Sequence, residues 1–236
     1  MQIYLRQAHD YAAFGELAPA HARIDRLKSF WETLKEVFGE RDFKGRKPKS
    51  TTVLNLACGF CEESRLISAF FSSGIPGIPT EQVKFFGIDY DKGAIETAIT
   101  SSRALDPFFY SERFSLSINA TFVCGDATNL DAYPEIPKEI DIMIVRHQFI
   151  ARAPIEFEKM VAGALKRLKP TGLMLFTSFA DSEQSLLTEM LNQLPCEILL
   201  AKENPHAVEL KEKFKEGYIA IDKYICLVKR KDLKKV

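Results

Sequence analysis

The sequence predicts an α/β fold in which a mainly parallel sheet is doubly wound, with helices on both of its faces. Two observations predict this fold. Short apolar runs that are typical of buried strands alternate with stretches of helical periodicity from residue 52 to residue 194. The last two apolar runs are joined by a charged segment without a helical crossover, so we expect them to pair antiparallel at the sheet edge.

Each element is predicted from its own pattern. The first helix has apolar residues three and four positions apart, and Gly39 is expected to end it. Residues 1–50 are therefore predicted to form a helical extension or lid and a linker, and residues 51–236 the main domain. Strands are predicted at 52–57, 83–89, 120–124, 140–145, 173–179, 197–201 and 218–228. Helices are predicted at 21–38, 62–71, 91–104, 154–168 and 182–194, with a turn at 169–172.

Composition excludes several classes of protein. Lys+Arg and Asp+Glu both number 32, so no net charge attracts nucleic acid or an anionic membrane. No apolar stretch reaches the roughly 20 residues of a membrane helix, and the N-terminus has no signal-peptide pattern. The five cysteines do not suggest a disulfide framework and suit a reducing compartment. We therefore expect a cytoplasmic protein that binds neither membranes nor nucleic acid.

A turn of small residues follows the first predicted strand. Residues 53–61 read Val-Leu-Asn-Leu-Ala-Cys-Gly-Phe-Cys, which is an apolar strand that enters a tight turn before a helix. Small residues at such a turn let backbone N–H groups at a helix N-terminus approach a ligand closely. The turn is therefore predicted to bind a nucleotide-like cofactor.

Acidic residues follow the next two strands, at the edge of the sheet where ligands of such folds bind. Asp89 ends the second strand, where its carboxylate is suited to accept both hydrogen bonds of a ribose diol. Asp126 follows the third strand and is suited to accept from an exocyclic adenine amine. Tyr90 and Ala127 offer apolar faces for the base. Together these residues predict an adenosine-containing cofactor.

With these features the chain resembles the class I S-adenosylmethionine-dependent methyltransferases. The resemblance implies a seven-stranded sheet whose last strand is antiparallel, with S-adenosyl-L-methionine as the cofactor. It rests on five ordered stretches: VLNLACGFCEES at 53–64, FFGIDYD at 85–91, VCGDATNL at 123–130, DIMIVRHQF at 141–149 and LKPTGLMLFTSF at 168–179.

The resemblance also implies a role for each matching residue. Ala57, Cys58 and Gly59 would line the methionine part of the cofactor. Asp89 would hold the ribose, and Asp126 with its neighbour Ala127 would border the adenine.

The first motif departs from the family pattern at three positions. The family usually has Asp or Glu where this chain has Asn55, and Gly where it has Ala57 and Cys61. Asn55 keeps the ability to form hydrogen bonds at the cofactor site, but it lacks the charge that attracts the cofactor's cation. A second hypothesis therefore stays open, in which the chain is a methyltransferase-like binding module that has lost catalysis.

The fourth strand is followed by the candidate catalytic residue. Methyl transfer from a sulfonium is an in-line displacement in which the protein aligns the acceptor and excludes water. A nitrogen or oxygen acceptor must also lose a proton, and His147 is the candidate general base. Arg146 beside it is expected at the cofactor site, for orientation or for an acidic substrate. The acceptor itself is expected to be a small molecule.

Two other enzyme classes deserve comparison. Cys58 and Cys61 form a C-x-x-C at a strand-to-helix junction, as in thioredoxin-like redox proteins, but the segment that follows is too short for that fold. A zinc site is not expected, because no second C-x-x-C or suitably spaced Cys/His pair occurs.

A nicotinamide-binding domain would need Gly-x-Gly-x-x-Gly, which the turn does not supply. Asp126 after the third strand adds weight to methyl transfer over the nicotinamide-dependent dehydrogenase.

Overall fold

The computed structural model describes residues 20–39, 50–73, 82–103, 119–146, 149–209 and 220–231. The strands are β1 Ser50–Leu56, β2 Gln82–Asp89, β3 Asn119–Cys124, β4 Ile140–Arg146, β5 Leu168–Ser178, β6 Cys196–Glu203, β7 Val208–Glu209, β8 Ala220–Ile221 and β9 Tyr224–Arg230. The helices are α1 Ala20–Phe38, α2 Ser64–Ser72, α3 Lys92–Arg103, α4 Pro154–Arg167 and α5 Asp181–Gln193, with short 3-10 turns at Ala127–Ala132 and Ile150–Arg152. None of the helices within these ranges is long and apolar enough to cross a membrane.

Seven of the strands form one sheet in the order β3-β2-β1-β4-β5-β9-β6. Strands β1 to β5 are parallel to one another, whereas β9 is antiparallel to both β5 and β6. The predicted fold class is thereby confirmed, including the antiparallel pairing of the last strand. Strand order reverses beside β1, since β2 and β3 lie on one side of it and β4 and β5 on the other. Such a reversal opens a crevice at the carboxyl ends of the strands.

Alternating side chains of β1 contribute to two hydrophobic clusters, one on each face of the sheet. Leu54 and Leu56 belong to the cluster that includes Val161 of α4. Val53 belongs to the other cluster, with Phe30 of α1 and Phe70 of α2. Asn55 follows the same alternation as Val53, so its side chain lies on the face that α1 and α2 cover. This face carries the polar groups described below.

The structure corrects the predicted ends of the first strand and of the helix after it. Strand β1 stops at Leu56 and α2 begins at Ser64 rather than at residue 62. The reason is that Ala57 and Cys61 both have positive φ angles, of 49° and 47°, which neither a strand nor a right-handed helix accepts. The intervening turn is therefore longer than the sequence pattern predicts.

The structure also corrects two predictions near the C-terminus. The expected continuous strand at 218–228 is broken at Asp222, which has a φ of 55°, so that β8 pairs with β7 and β9 begins at Tyr224. The expected turn at 169–172 lies inside β5 as an irregularity, because Leu168 pairs with Ile140 and Leu173 pairs with Ile142. Division of the chain at residue 50 stays a prediction.

Candidate functional site

The turn between β1 and α2 has three residues in the left-handed region. These are Ala57, Gly59 and Cys61, with φ angles of 49°, 52° and 47°. Only glycine adopts this region without a steric penalty, which for other residues is of the order of 1 kcal/mol or more each. The turn therefore has a backbone conformation that glycine would adopt without strain at all three positions, although only residue 59 is glycine.

Backbone hydrogen bonds fix the shape and position of this turn. The N–H of Cys58 donates to the carbonyl of Ile88 in β2 at 3.0 Å, which fastens the turn to the sheet. Within the turn, the N–H of Cys61 donates to the carbonyl of Cys58 at 2.9 Å. A Cβ atom built on Gly59 would meet no atom of the described residues within 4 Å, so none of these residues blocks the approach to its backbone. A ligand has room to approach the backbone at this point.

Asp89 joins the carboxyl ends of β1 and β2. Its Oδ2 accepts from the N–H of Gly59 at 2.8 Å, and its Oδ1 accepts from the N–H of Asp91 at 2.9 Å. Burial raises the pKa of this carboxyl above its ordinary value of 3.8, while the backbone N–H groups of Asp91, Gly59 and Tyr90 oppose the shift. A carboxylate has about four acceptor positions, so these donors leave room for a further hydrogen bond. Asp89 therefore orders the turn and still has acceptor capacity for a ligand hydroxyl.

The end of β3 lies beside the end of β2. The N–H of Gly125 donates to the carbonyl of Asp89 at 2.8 Å. A Cβ atom at Gly125 would lie 2.3 Å from the ring of Tyr133, so a residue with a side chain there would displace that ring. The Tyr133 hydroxyl in turn accepts from the N–H of Asp126 at 2.7 Å. These contacts place Asp126 on the same edge as Asp89.

The residues predicted around the adenine differ in exposure. Asp126 is exposed and its carboxylate accepts from the N–H of Thr128 at 2.8 Å, which caps the 3-10 turn. Tyr90 is also exposed. Ala127 is buried and belongs to the core beneath the edge. Exposed groups and an apolar floor therefore occur together at the ends of β2 and β3.

A buried polar network underlies the turn on the α1 side of the sheet. Asn55 is 1% exposed, and its Nδ2 donates to Glu63 Oε1 at 3.1 Å and to Cys61 Sγ at 3.4 Å. Its Oδ1 has no hydrogen-bond partner among the described residues. Glu63 directly precedes α2, is itself buried, and does not cap the helix with its side chain. Sequence reasoning missed Glu63, although it lies within the 53–64 stretch.

Arg146, a predicted cofactor residue, lies at the end of this network. Its Nε and Nη2 donate to the two carboxylate oxygens of Asp222, with Nη2 2.6 Å from Oδ2. Its Nη1 lies 3.7 Å from Glu63 Oε2, and its guanidinium stacks 4.0 Å over the ring of Phe30. Asp222 is fully buried and was also missed, because nothing local in the sequence couples it to a residue 76 positions earlier.

The two cysteines of the turn are buried. The Cys58 sulfur packs on β2, since a side chain at Gly87 would meet it at 2.9 Å. Burial raises the pKa of the Cys61 thiol well above its ordinary value of 9.0, so this thiol stays protonated and is a poor nucleophile. Both features favour a packing role for the pair over thiol chemistry.

The candidate base His147, together with Gln148, lies outside the described residues, so its role stays a prediction. The structure does describe the segment that follows. Phe149 stacks on Phe179, with ring centroids 5.3 Å apart, and both rings are partly exposed at the carboxyl ends of β4 and β5. The N–H of Ile150 donates to the buried carboxylate of Glu183 at 2.7 Å. This part of the edge therefore has an apolar wall held by a buried hydrogen bond.

No family model matches the chain, and no curated protein does. Solved structures do match. A TehB-like S-adenosylmethionine-dependent methyltransferase from Corynebacterium glutamicum superposes with a TM-score of 0.55 at 16% identity, covering 96% of this chain and 99% of that one. Another S-adenosylmethionine-dependent methyltransferase, from Methanosarcina mazei, superposes with a TM-score of 0.54 at 16% identity, covering 78% of this chain and 93% of that one. The chain has the fold of the class I S-adenosylmethionine-dependent methyltransferases.

Other structures with the methyltransferase fold include one with its cofactor. Magnesium protoporphyrin IX methyltransferase from Synechocystis, with bound S-adenosylmethionine, matches with a TM-score of 0.50 at 13% identity, covering 86% of this chain and 80% of that one. At such identities the likeness concerns the fold. Within the methyltransferase fold of this chain, the turn at 57–61, Asp89 and Asp126 come together at one edge of the sheet.

Proposed function

We propose that this protein binds S-adenosyl-L-methionine at the carboxyl ends of β1, β2 and β3 and transfers its methyl group to a small-molecule acceptor. The observation that carries the proposal is the contact between the Asp89 carboxylate and the Gly59 N–H at 2.8 Å. This contact brings a carboxylate suited to a ribose next to an open turn of small residues. The methyltransferase fold supports the same reading.

The residues at this edge fit the parts of the cofactor. No atom of the described residues blocks the approach to Gly59, and Asp89 keeps acceptor capacity for a ribose hydroxyl. Asp126 and Tyr90 are exposed beside it, where an adenine would lie between a hydrogen-bond acceptor and an aromatic face. Within the part of the chain that the structure describes, Asn55 Oδ1 is a buried acceptor without a donor, as expected where a ligand supplies the N–H.

The cofactor, when bound, supplies an electrophilic methyl group on a sulfonium. The protein's own contribution is to align the acceptor and exclude water. Phe149 and Phe179 form an apolar wall on the β4 and β5 side, and we assign the acceptor to that side. His147 removes the proton of a nitrogen or oxygen acceptor. Arg146 acts on the cofactor site through Glu63, because its guanidinium is already paired with Asp222.

Calorimetric titration with S-adenosylmethionine tests the proposal. We expect measurable binding to the unaltered protein. The affinity should fall about tenfold or more in Asp89→Ala, because a hydrogen bond to a charged group contributes about 1.5–3 kcal/mol. Asp131→Ala is the control, since Asp131 is an exposed acid that pairs with Arg167 away from the turn. No binding by the unaltered protein contradicts the proposal.

A binding module without catalysis is the second candidate function. Asn55 and the two strained residues at positions 57 and 61 favour it, because all three differ from the family pattern. Release of S-adenosylhomocysteine during incubation with a panel of small nucleophiles separates the candidates. Tight binding without any turnover across the panel supports the module, whereas turnover that His147→Gln reduces supports the enzyme.

A further inference from the structure

The side-chain amide of Asn55 has one orientation that its surroundings accept. Its Nδ2 donates to Glu63 Oε1 at 3.1 Å, and a flipped amide would place two acceptor oxygens against each other. Nδ2 rather than Oδ1 therefore faces Glu63 Oε1. The Oδ1 atom is buried and has no donor among the described residues. A buried amide oxygen without a hydrogen bond costs about 1–3 kcal/mol, so this atom is suited to a donor that arrives with a ligand.

Glu63 has no close cation among the described residues. Arg146 forms its short contact with Asp222, whose Oδ2 lies 2.6 Å from Nη2, whereas Nη1 lies 3.7 Å from Glu63 Oε2. A buried carboxylate without a close cation is unfavourable, and a cation that enters beside Glu63 would reduce that cost.

Glu63 is placed to hold this charge. It is the residue that precedes the first turn of α2, where the positive end of the helix dipole stabilises a carboxylate. Its carboxylate does not cap the helix and instead accepts from Asn55. The N–H of Asn55 Nδ2 thereby holds the Glu63 carboxylate beneath the turn, beside the amide whose Oδ1 has no donor among the described residues.

We infer that Asn55 and Glu63 together bind the ammonium group of the cofactor's methionine part, with Glu63 supplying the negative charge that position 55 lacks. An ammonium has the two properties that the site requires, which are N–H donors for Asn55 Oδ1 and a positive charge for Glu63. The sulfonium has the charge but no N–H. The inference rests on the proposed function, because it assigns one part of that cofactor.

Three ligands separate this inference from the proposed function itself. S-adenosylmethionine has both cations, S-adenosylhomocysteine has only the ammonium, and 5′-methylthioadenosine has neither. Calorimetry on Glu63→Gln should show S-adenosylhomocysteine bound about tenfold more weakly, the loss expected for a charged hydrogen bond. Binding of 5′-methylthioadenosine should stay unchanged. Equal binding of S-adenosylhomocysteine by Glu63→Gln and the unaltered protein overturns the inference and leaves the proposed function in place.

Glu62→Gln is the matched control. It is the same substitution one residue earlier, at a glutamate that lies 3.7 Å from Arg26. We expect all three ligands to bind it as they bind the unaltered protein. If none of the three binds the unaltered protein, the proposed function fails and the inference fails with it.

Moving the acid tests the inference in the opposite direction. The double variant Asn55→Asp/Glu63→Gln exchanges the amide and the carboxylate, so binding of S-adenosylhomocysteine should recover at least threefold relative to Glu63→Gln. Asn55→Asp alone sets a second carboxylate against Glu63, and an ammonium between them relieves their repulsion, so this variant should bind S-adenosylhomocysteine more tightly, with no change for 5′-methylthioadenosine. This single variant also serves if Glu63→Gln does not fold. Failure of Asn55→Asp to favour the ammonium ligand overturns the inference.

Discussion

Ala57 and Cys61 hold φ angles of 49° and 47°, which are rare for residues that have a side chain. Asp89 helps to hold them there, because its carboxylate fastens the intervening Gly59. The turn therefore has the open shape that a ligand requires, while its two strained residues reduce the stability of the fold.

Replacing Ala57 by glycine should stabilise the protein. The left-handed conformation disfavours alanine by about 1–2 kcal/mol, and the entropy that glycine loses on folding offsets about 0.5–1 kcal/mol of this gain. We expect Ala57→Gly to raise the free energy of unfolding by about 0.5–1 kcal/mol in urea denaturation. Ala162→Gly in α4 is the control, at a helical residue of similar exposure, and should lower it by about 1 kcal/mol. Destabilisation by both variants would contradict strain at residue 57.

Asp89 should make cofactor binding depend on pH. Burial raises its pKa above 3.8 in the free protein, and donation from ribose hydroxyls favours its ionised form and lowers the pKa in the complex. Affinity should therefore be full above the raised pKa of the free protein and fall as the pH drops through it. Titrations of S-adenosylmethionine across this range measure the effect. Asp89→Asn should remove this component of the pH dependence, and an identical profile in both proteins would exclude the ribose contact.

The link between β8 and β9 connects the edge of the sheet with the end of β4. Asp222 in this link is fully buried, pairs with Arg146, and has its carbonyl bound by Asn204 at 2.8 Å. Asn204 also donates to Thr33 of α1 at 2.9 Å. The strand ends, the link and α1 are thereby joined by polar contacts that the core encloses.

Removing the Asp222 carboxylate should destabilise the fold strongly. Asp222→Ala leaves the guanidinium of Arg146 buried without its main partner, and breaking a buried ion pair in this way costs about 3–5 kcal/mol. Urea denaturation measures the loss. Asp222→Asn keeps the size of the side chain and tolerates the positive φ, so it should lower the free energy of unfolding by less than Asp222→Ala does. The loss in Asp222→Asn measures the contribution of the negative charge. A loss below about 1 kcal/mol for Asp222→Ala would show that the pair is not important for stability.

Helix α1 and the sheet share one core. Phe30, Leu34 and Phe38 of α1 are fully buried in the cluster that contains Val53 of β1. The only tryptophan of the chain, Trp31, packs edge-on against Phe70 of α2 at 5.3 Å. A helix that contributes this much to a core is expected to unfold together with it, whatever the role of the residues that precede it.

Two probes of unfolding should therefore coincide. Trp31 fluorescence reports on α1, and far-ultraviolet circular dichroism reports on all helices and strands. We expect the same urea midpoint from both, and Leu34→Ala should lower the free energy of unfolding by about 2–5 kcal/mol in both. Lys28→Ala, at an exposed position of α1, should change it by less than about 0.5 kcal/mol. An earlier transition in fluorescence would mean that α1 is a separate unit.

The elements and their order could be predicted from the sequence because their signals are local. Alternation of apolar runs with helical periodicity predicted the parallel sheet, and the missing crossover predicted the antiparallel strand β9. Chain positions of Gly59, Asp89 and Asp126 at strand ends predicted that they share one edge. The interruption of the last strand at Asp222 could not be predicted, because its cause is an ion pair with a distant residue.

The partners of the site residues came from the packing of the chain. Asn55 meets Glu63 because α2 returns beside the end of β1, and Arg146 meets Asp222 across 76 residues of chain. Neither contact has a local pattern, since burial and charge pairing depend on which surfaces the fold brings together. The amino-acid order thus specifies the sheet and the edge where a cofactor would bind. The folded chain alone determines which carboxylate lies beside Asn55.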